Sequence, residues 1–184
     1  MNKKIYINLI IFFCIISCNN NANVPKPKGF VKYTFPEKKY ETIKLNCPFS
    51  FEIPKYSELK KINECNFNLI FHHFNATIYF TYIEINDDLN QHINQTKKYI
   101  QTHKLKAESM SIIEKEYSDN DKKGILFMLQ GEVATSRQFF LSDEKKHFIR
   151  GALYFNEEIN DSIKPIESFI TYDIIHIIET MSFD

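Results

Sequence analysis

Arg137-Gln138-Phe139-Phe140-Leu141-Ser142-Asp143-Glu144-Lys145-Lys146-His147-Phe148-Ile149-Arg150-Gly151-Ala152-Leu153-Tyr154-Phe155 is the stretch that decides the fold. Two apolar runs, Arg137 to Leu141 and His147 to Phe155, flank the polar residues Ser142 to Lys146. That pattern reads as a β-hairpin. Successive side chains of a strand point to opposite faces. With Leu141 opposite His147, Phe140 meets Phe148 and Phe139 meets Ile149. One face then holds Phe139, Leu141, Ile149, Leu153 and Phe155. The other holds Phe140, Phe148, Ala152 and Tyr154. Both faces are apolar, so both need cover.

Working outward, further strands are expected. Phe49 to Ile53 alternates after Pro48, with Phe49, Phe51 and Ile53 on one face. Phe67 to His73 and Ala76 to Ile83 are rich in Phe, Tyr, Ile and Thr and meet at Phe74-Asn75, as a hairpin would. Ser109 to Tyr117 and Gly124 to Gln130 flank the turn-like Ser118-Asp119-Asn120-Asp121. Two helices are expected. Asn86 reads as the cap of the first, followed by Asp87-Asp88, with Leu89, Ile93, Thr96, Ile100 and His103 along one stripe. The second follows Asn160-Asp161-Ser162, with Pro165 in its first turn. Its apolar face is Ile166, Phe169, Ile170, Ile174, Ile177, Ile178 and Met181, at helical spacing. The expected fold class is α+β: an antiparallel sheet of about six or seven strands covered by helices on both faces. No strand–helix–strand alternation or Gly-rich turn supports a Rossmann fold.

Composition limits the function classes. The chain has 184 residues and 23 Lys+Arg against 23 Asp+Glu. Zero net charge excludes an electrostatic binder of nucleic acid, which needs a basic excess. Hydrophobic residues make up 43%, with 17 Phe and 10 Tyr, enough for a real core in one domain. Arginine occurs only twice against 21 lysines, which makes Arg137 and Arg150 informative.

The N-terminus reads as an address. Asn2-Lys3-Lys4 is a positive n-region, and Ile5 to Ile16 is an apolar stretch too short to span a bilayer. Ile15-Ile16-Ser17-Cys18 has the form of a bacterial lipobox. Residues 1–17 would be the lipoprotein signal peptide, and Cys18 would be the lipidation site, carrying diacylglycerol and then palmitate-type acylation on its amine. Such multiple chains anchor stably. The alternative is an ordinary signal peptide with a chance Cys. Residues 18–29 would be the lipidated Cys and an extended tether, whose two prolines and polar residues reach about 34 Å. Residues 30–184 would form a single globular domain. With Lys3 and Lys4 removed, acids slightly outnumber bases, so the lipid and not charge would hold the membrane.

Cysteine usage agrees with export. Cys14 lies in the h-region, which leaves Cys47 and Cys65 as an even pair in an oxidising compartment. A disulfide there would contribute about 3 kcal/mol. The alternative is two free buried thiols. Without CxxC spacing or a neighbouring His pair, no zinc site is expected.

No catalytic constellation emerges. There is no Gly-x-Ser-x-Gly elbow. Ser142, Asp143 and His147 are too close in sequence for a triad of usual geometry. His72 and His73 fall on opposite faces of a strand, and His92 and His176 sit in helices without partners at metal spacing. His103 suits a helix C-terminus. Arg137 and Arg150 are the sharpest candidates, because a planar bidentate donor is not interchangeable with lysine. In the hairpin register they lie near each other on opposite faces. Their structural reading is a bridge to Asp143, Glu132 or Asp161; their functional reading is a partner or ligand. Asn75-Ala76-Thr77 and Asn94-Gln95-Thr96 match the glycosylation pattern by chance.

The ordered set of segments resembles the gliding motility lipoprotein D family, GldD. It begins with Pro25-Lys26-Pro27-Lys28-Gly29, Phe35-Pro36 with Tyr40, and Cys47-Pro48-Phe49-Ser50-Phe51-Glu52. Asn75-Ala76-Thr77, His103-Lys104 with Lys106-Ala107, and Gln138 to Asp143 follow. His147 to Phe155, then Asp161-Ser162, is the most specific part. One departure is Asn66 after Cys65, where an aromatic residue, often Trp, is expected. The resemblance implies a lipid-anchored envelope protein needed for gliding, with an accessory or assembly role in the type IX secretion machinery. It implies other gliding and secretion envelope proteins as partners, no enzymatic activity and no cofactor. The Phe-Ser-Phe-Glu-Ile-Pro opening and the Ile/Phe-rich last helix are similar to the PsbP/Mog1-type α/β/α sandwich. Asn19 after the lipobox Cys points to the outer membrane, facing the periplasm.

Two classes of function follow. An interaction protein predicts an exposed apolar or aromatic patch and no deep polar pocket. A lipid-anchored hydrolase or small-ligand carrier predicts a concave pocket with converging polar groups, including Arg137 or Arg150 and a His.

Overall fold

The computed structural model describes residues 32–104, 111–118, 122–130, 135–156 and 162–184. The signal peptide, Cys14, Cys18, the tether with its Pro25–Gly29 segment, Lys106-Ala107, the Asp119–Asp121 turn, Glu132 and Asp161 lie outside the described residues, as does the His103 side chain.

In chain order the elements are β1 (Tyr40–Lys44), β2 (Phe49–Pro54), β3 (Glu58–Lys61), β4 (Phe67–Phe71), β5 (Ala76–Glu84), α1 (Leu89–Lys104), β6 (Ser111–Ser118), β7 (Lys123–Gln130), β8 (Thr135–Ser142), β9 (His147–Phe155), α2 (Lys164–Thr180) and β10 (Ser182–Phe183). The fold is α+β with antiparallel sheets. A seven-stranded sheet runs β3-β4-β5-β9-β8-β7-β6, and a three-stranded sheet runs β1-β2-β10. The β8–β9 hairpin lies near the middle of the large sheet.

The hairpin register differs from expectation by two residues. Leu141 pairs with Ile149 and Phe140 with Arg150. The turn is tighter because one carboxylate oxygen of Asp143 accepts the N–H groups of Lys145, Lys146 and His147 at 3.0, 3.0 and 2.8 Å. Glu144 takes the left-handed conformation, with φ 61°. A shift of two leaves every side chain on its expected face, whereas a shift of one would exchange the faces.

Three other expectations are corrected. Phe49 to Ile53 belongs to the small sheet as β2; the large sheet gains β3 instead, whose Glu58-Leu59-Lys60-Lys61 sequence hides a strand. Charges of this kind suit an exposed sheet edge. His72 and His73 are not in a strand: β4 ends at Phe71 and a 3-10 turn, His72–Phe74, leads to Asn75 at φ 48°. That turn brings Phe74 into the core. The first helix starts at Leu89, because Asp87 has φ 61° and the Asp88 carboxylate accepts the Asn86 N–H at 2.9 Å. Asn86 is therefore not its cap. The second helix starts as expected, with Pro165 in the first turn.

Buried side chains form two apolar clusters. Phe139, Leu141, Ile149 and Leu153 join β2, β4 and β5 aromatics and Ile170, Ile174, Ile177 and Ile178 of α2. Phe140 and Phe148 join Phe127, Leu129, Ile85 and Ile100 of α1. The alternation read from the hairpin thus separates the two clusters. Gly151 faces Phe139, and a Cβ there would overlap the Phe139 ring. Cys47 and Cys65 form a disulfide with Cα atoms 5.6 Å apart, joining the start of β2 to the start of β4. In the chain-entropy account this contributes about 3 kcal/mol.

Candidate functional site

The two arginines are set by adjacent strands and lead different lives. Arg137 lies near the start of β8, where a bulge precedes its pairing with Leu153. Its Nε donates to Thr171 Oγ1 at 2.9 Å, and Nη1 to the Ser136 carbonyl at 2.9 Å and Glu167 Oε1 at 3.0 Å. The pair is nearly sealed, with side chains 11% and 12% exposed. Burial lowers the Arg137 pKa, and the Glu167 carboxylate opposes that shift. Among the described residues the bridge is to Glu167 and not to Asp143, because α2 packs against this side of β8 and brings the acid with it; the other two expected partners, Glu132 and Asp161, lie outside the described residues.

Arg150, in the middle of β9, points the other way. One Nη2 hydrogen bond goes to Gln138 Oε1 at 3.1 Å. Its guanidinium carbon lies 4.4 Å from the centroid of the Tyr99 ring of α1, a cation–π contact. Burial lowers its pKa. Arg150 Nε and Gln138 Nε2 are buried without a partner.

Asp143 and His147 meet through the backbone. Burial acts to raise the Asp143 pKa, but the backbone N–H groups of His147, Lys145 and Lys146 prevail and hold it below the ordinary carboxylate value. The His147 ring instead shares a 2.8 Å hydrogen bond with the Tyr82 hydroxyl and stacks on Phe183. Ser142 Oγ accepts the Glu144 N–H at 2.9 Å. These three side chains are committed to the hairpin loop and the core.

One polar centre was not foreseen. Asp173 of α2 is completely buried. It accepts from Lys38 Nζ at 2.6 Å, Tyr40 OH at 2.9 Å and Tyr56 OH at 2.6 Å. Lys38 Nζ also donates to the Phe169 carbonyl at 2.8 Å and lies over the Phe169 ring. Burial lowers the Lys38 pKa against the pull of Asp173. Burial first, and then the Asp173 carboxylate through its charge and its hydrogen bonds, raise both tyrosine pKa values. A carboxylate so saturated is a clamp rather than a reactive acid. It fastens residues 38–40 to α2. The neighbouring His176 bonds Glu52 at 2.7 Å and stacks on Tyr40. The available signal was Asp173 itself, three residues after Ile170 on the apolar stripe. A charge there requires partners.

No group of three or more potential metal ligands occurs among the described residues. None of the described helices is long and apolar enough to cross a membrane.

The geometry therefore shows a domain whose polar groups mostly hold its own elements together. The sequence model of the family described as gliding motility lipoprotein GldD matches residues 20–183. The chain belongs to the GldD family. It is a gliding motility-associated lipoprotein, and membrane association follows from that class. No curated protein matches the chain. In this GldD lipoprotein the match covers all the described residues except Asp184, including both arginines and the Asp173 clamp.

Proposed function

We propose that the protein is a non-enzymatic, lipid-anchored component of the cell envelope that docks other subunits of the gliding and type IX secretion machinery. The family match carries this reading. The internal duties of Asp143, His147, Arg137 and Asp173 support it, since each side chain is occupied by a structural contact. Exposed Tyr79, Tyr99 and Tyr172 offer aromatic contact surface, a residue type favoured at interfaces. The anchor would be acylated Cys18, at the periplasmic side of the outer membrane, with Asn19 as the sorting residue. The two apolar clusters, one joined by each helix, support a PsbP/Mog1-like sandwich with a helix on each face.

The test is crosslinking of the native, membrane-anchored protein in cells, followed by mass spectrometry. Capture of gliding or secretion subunits is expected. Capture of none, together with free diffusion in the membrane, overturns the docking role.

A further inference from the structure

We propose that the groove beside Arg150 binds an acidic side chain flanked by apolar residues, presented by a short segment of a partner protein. This rests on the reading of the domain as a docking module and names the site. The groove has a volume of about 480 Å³ and is lined by Tyr79, Thr81, Arg150, Tyr154 and Phe155, among others. That size suits a few side chains.

Three observations converge. Arg150 has no carboxylate partner among the described residues; its polar contact is the neutral amide of Gln138. The unmet hydrogen-bonding capacity beside it is all donor, at Arg150 Nε and Gln138 Nε2. A carboxylate is an acceptor-only group, and the planar guanidinium matches it bidentately. The flanks are aromatic. Tyr79 meets Tyr154 edge-on at 5.5 Å, and Tyr79 and Tyr99 are 45% and 43% exposed. Tyrosines around an arginine make the composition of an interface hot spot. Charge complementarity thus selects the acid, and the rings select its apolar neighbours.

The test is a titration of the full-length, nitrogen-15-labelled chain in detergent micelles, followed by NMR. With two arginines in the chain, there are only two Arg Nε–H signals to assign. The probes are acetyl-Leu-Asp-Leu-amide, its Asn counterpart and isovalerate. The aspartyl peptide should move the Arg150 Nε–H and the Thr81 and Ala152 amides, and leave the Arg137 Nε–H in place. It should bind at least about tenfold more tightly than the other two probes. Arg150→Lys, which keeps the charge and loses the fork, should abolish the response. No response at millimolar peptide, an equal response to the Asn peptide, or an undiminished response in Arg150→Lys overturns the site. Equal affinity for isovalerate assigns it to a free small acid and overturns the partner segment. Capture of envelope subunits without a peptide response removes this groove alone. A peptide response without captured subunits removes the docking role.

Discussion

Arg137 and Arg150 stand on neighbouring strands of one hairpin, yet one is closed and the other open. Arg137 meets α2, which supplies Glu167 and Thr171 and leaves the guanidinium neutralised. Arg150 meets α1, which supplies the face of Tyr99 and no acid. The strand places each arginine, but the covering helix decides its role. The difference extends beyond one pair. Around Arg137, α2 also carries the buried Asp173 and is held at its C-terminal end by Lys122 Nζ, which donates to the carbonyls of Glu179 and Met181. A cation there complements the helix dipole. Around Arg150 lie exposed tyrosines and a groove. Arg137 is closed by an ion pair, whereas Arg150 Nε and Gln138 Nε2 are buried without a partner among the described residues.

The sharpest way to break this comparison is to remove the acid from the closed side. Glu167→Ala strands a buried guanidinium and should cost about 3 kcal/mol of stability. Urea unfolding should show the lowered midpoint with an unchanged slope. A loss below about 1 kcal/mol would mean that Arg137 is as free as Arg150 and the contrast is not real. Next comes Gly151→Ala, which drives a methyl group into Phe139 on the closed side. Overpacking of this kind should cost about 2 kcal/mol, and a thermal melt reads it directly. Arg150→Gln should cost under about 1 kcal/mol, because it removes a partly buried charge that has no carboxylate partner among the described residues, along with one hydrogen bond and a cation–π contact. Unfolding by Arg150→Gln comparable to that by Glu167→Ala would make Arg150 a structural residue.

Much of the closed side was legible, though not its polar centres. The two-residue period assigns Phe139, Leu141, Ile149 and Leu153 to one observed cluster and Phe140 and Phe148 to the other, even though the observed register differs from the expected one by two residues. Faces depend on parity, and the turn shifted the pairing by an even number. The i, i+3, i+4 stripe of α2 was equally clear, since Ile170, Ile174, Ile177 and Ile178 are fully buried. Glu167 and Asp173 escaped notice because an acid in a helix is ordinarily read as solvent-facing. Their partners, Arg137 and Lys38, lie far away in sequence, and local pattern does not encode such pairings. Strand β3 was hidden by charge, and β2 went to the wrong sheet because alternation shows that a strand has a buried face but not which neighbour it pairs with. On the open side, the rarity of arginine marked Arg150. The groove required the register that puts Tyr79 opposite Ala152 and Thr81 opposite Arg150.

The whole contrast depends on hairpin parity, so the smallest expected effect tests its origin. Asp143 fixes the turn by accepting three backbone N–H groups. Those bonds favour the carboxylate and outweigh the opposing effect of burial, so its folded-state pKa lies below the ordinary value. The unfolded chain therefore takes up the proton first on acidification. Stability contributed by Asp143 is present above about pH 4 and is lost as pH falls through the lowered pKa. Asp143→Asn keeps a side-chain oxygen that can accept the same N–H groups, but it has no proton to gain. Its stability should fall less steeply than that of the parent between about pH 4 and pH 2, with both arginines still on their own faces by NMR. Equal slopes would show that the N–H cluster does not favour the ionised form. The turn would then owe its tightness to the left-handed Glu144 and the strand pairing alone.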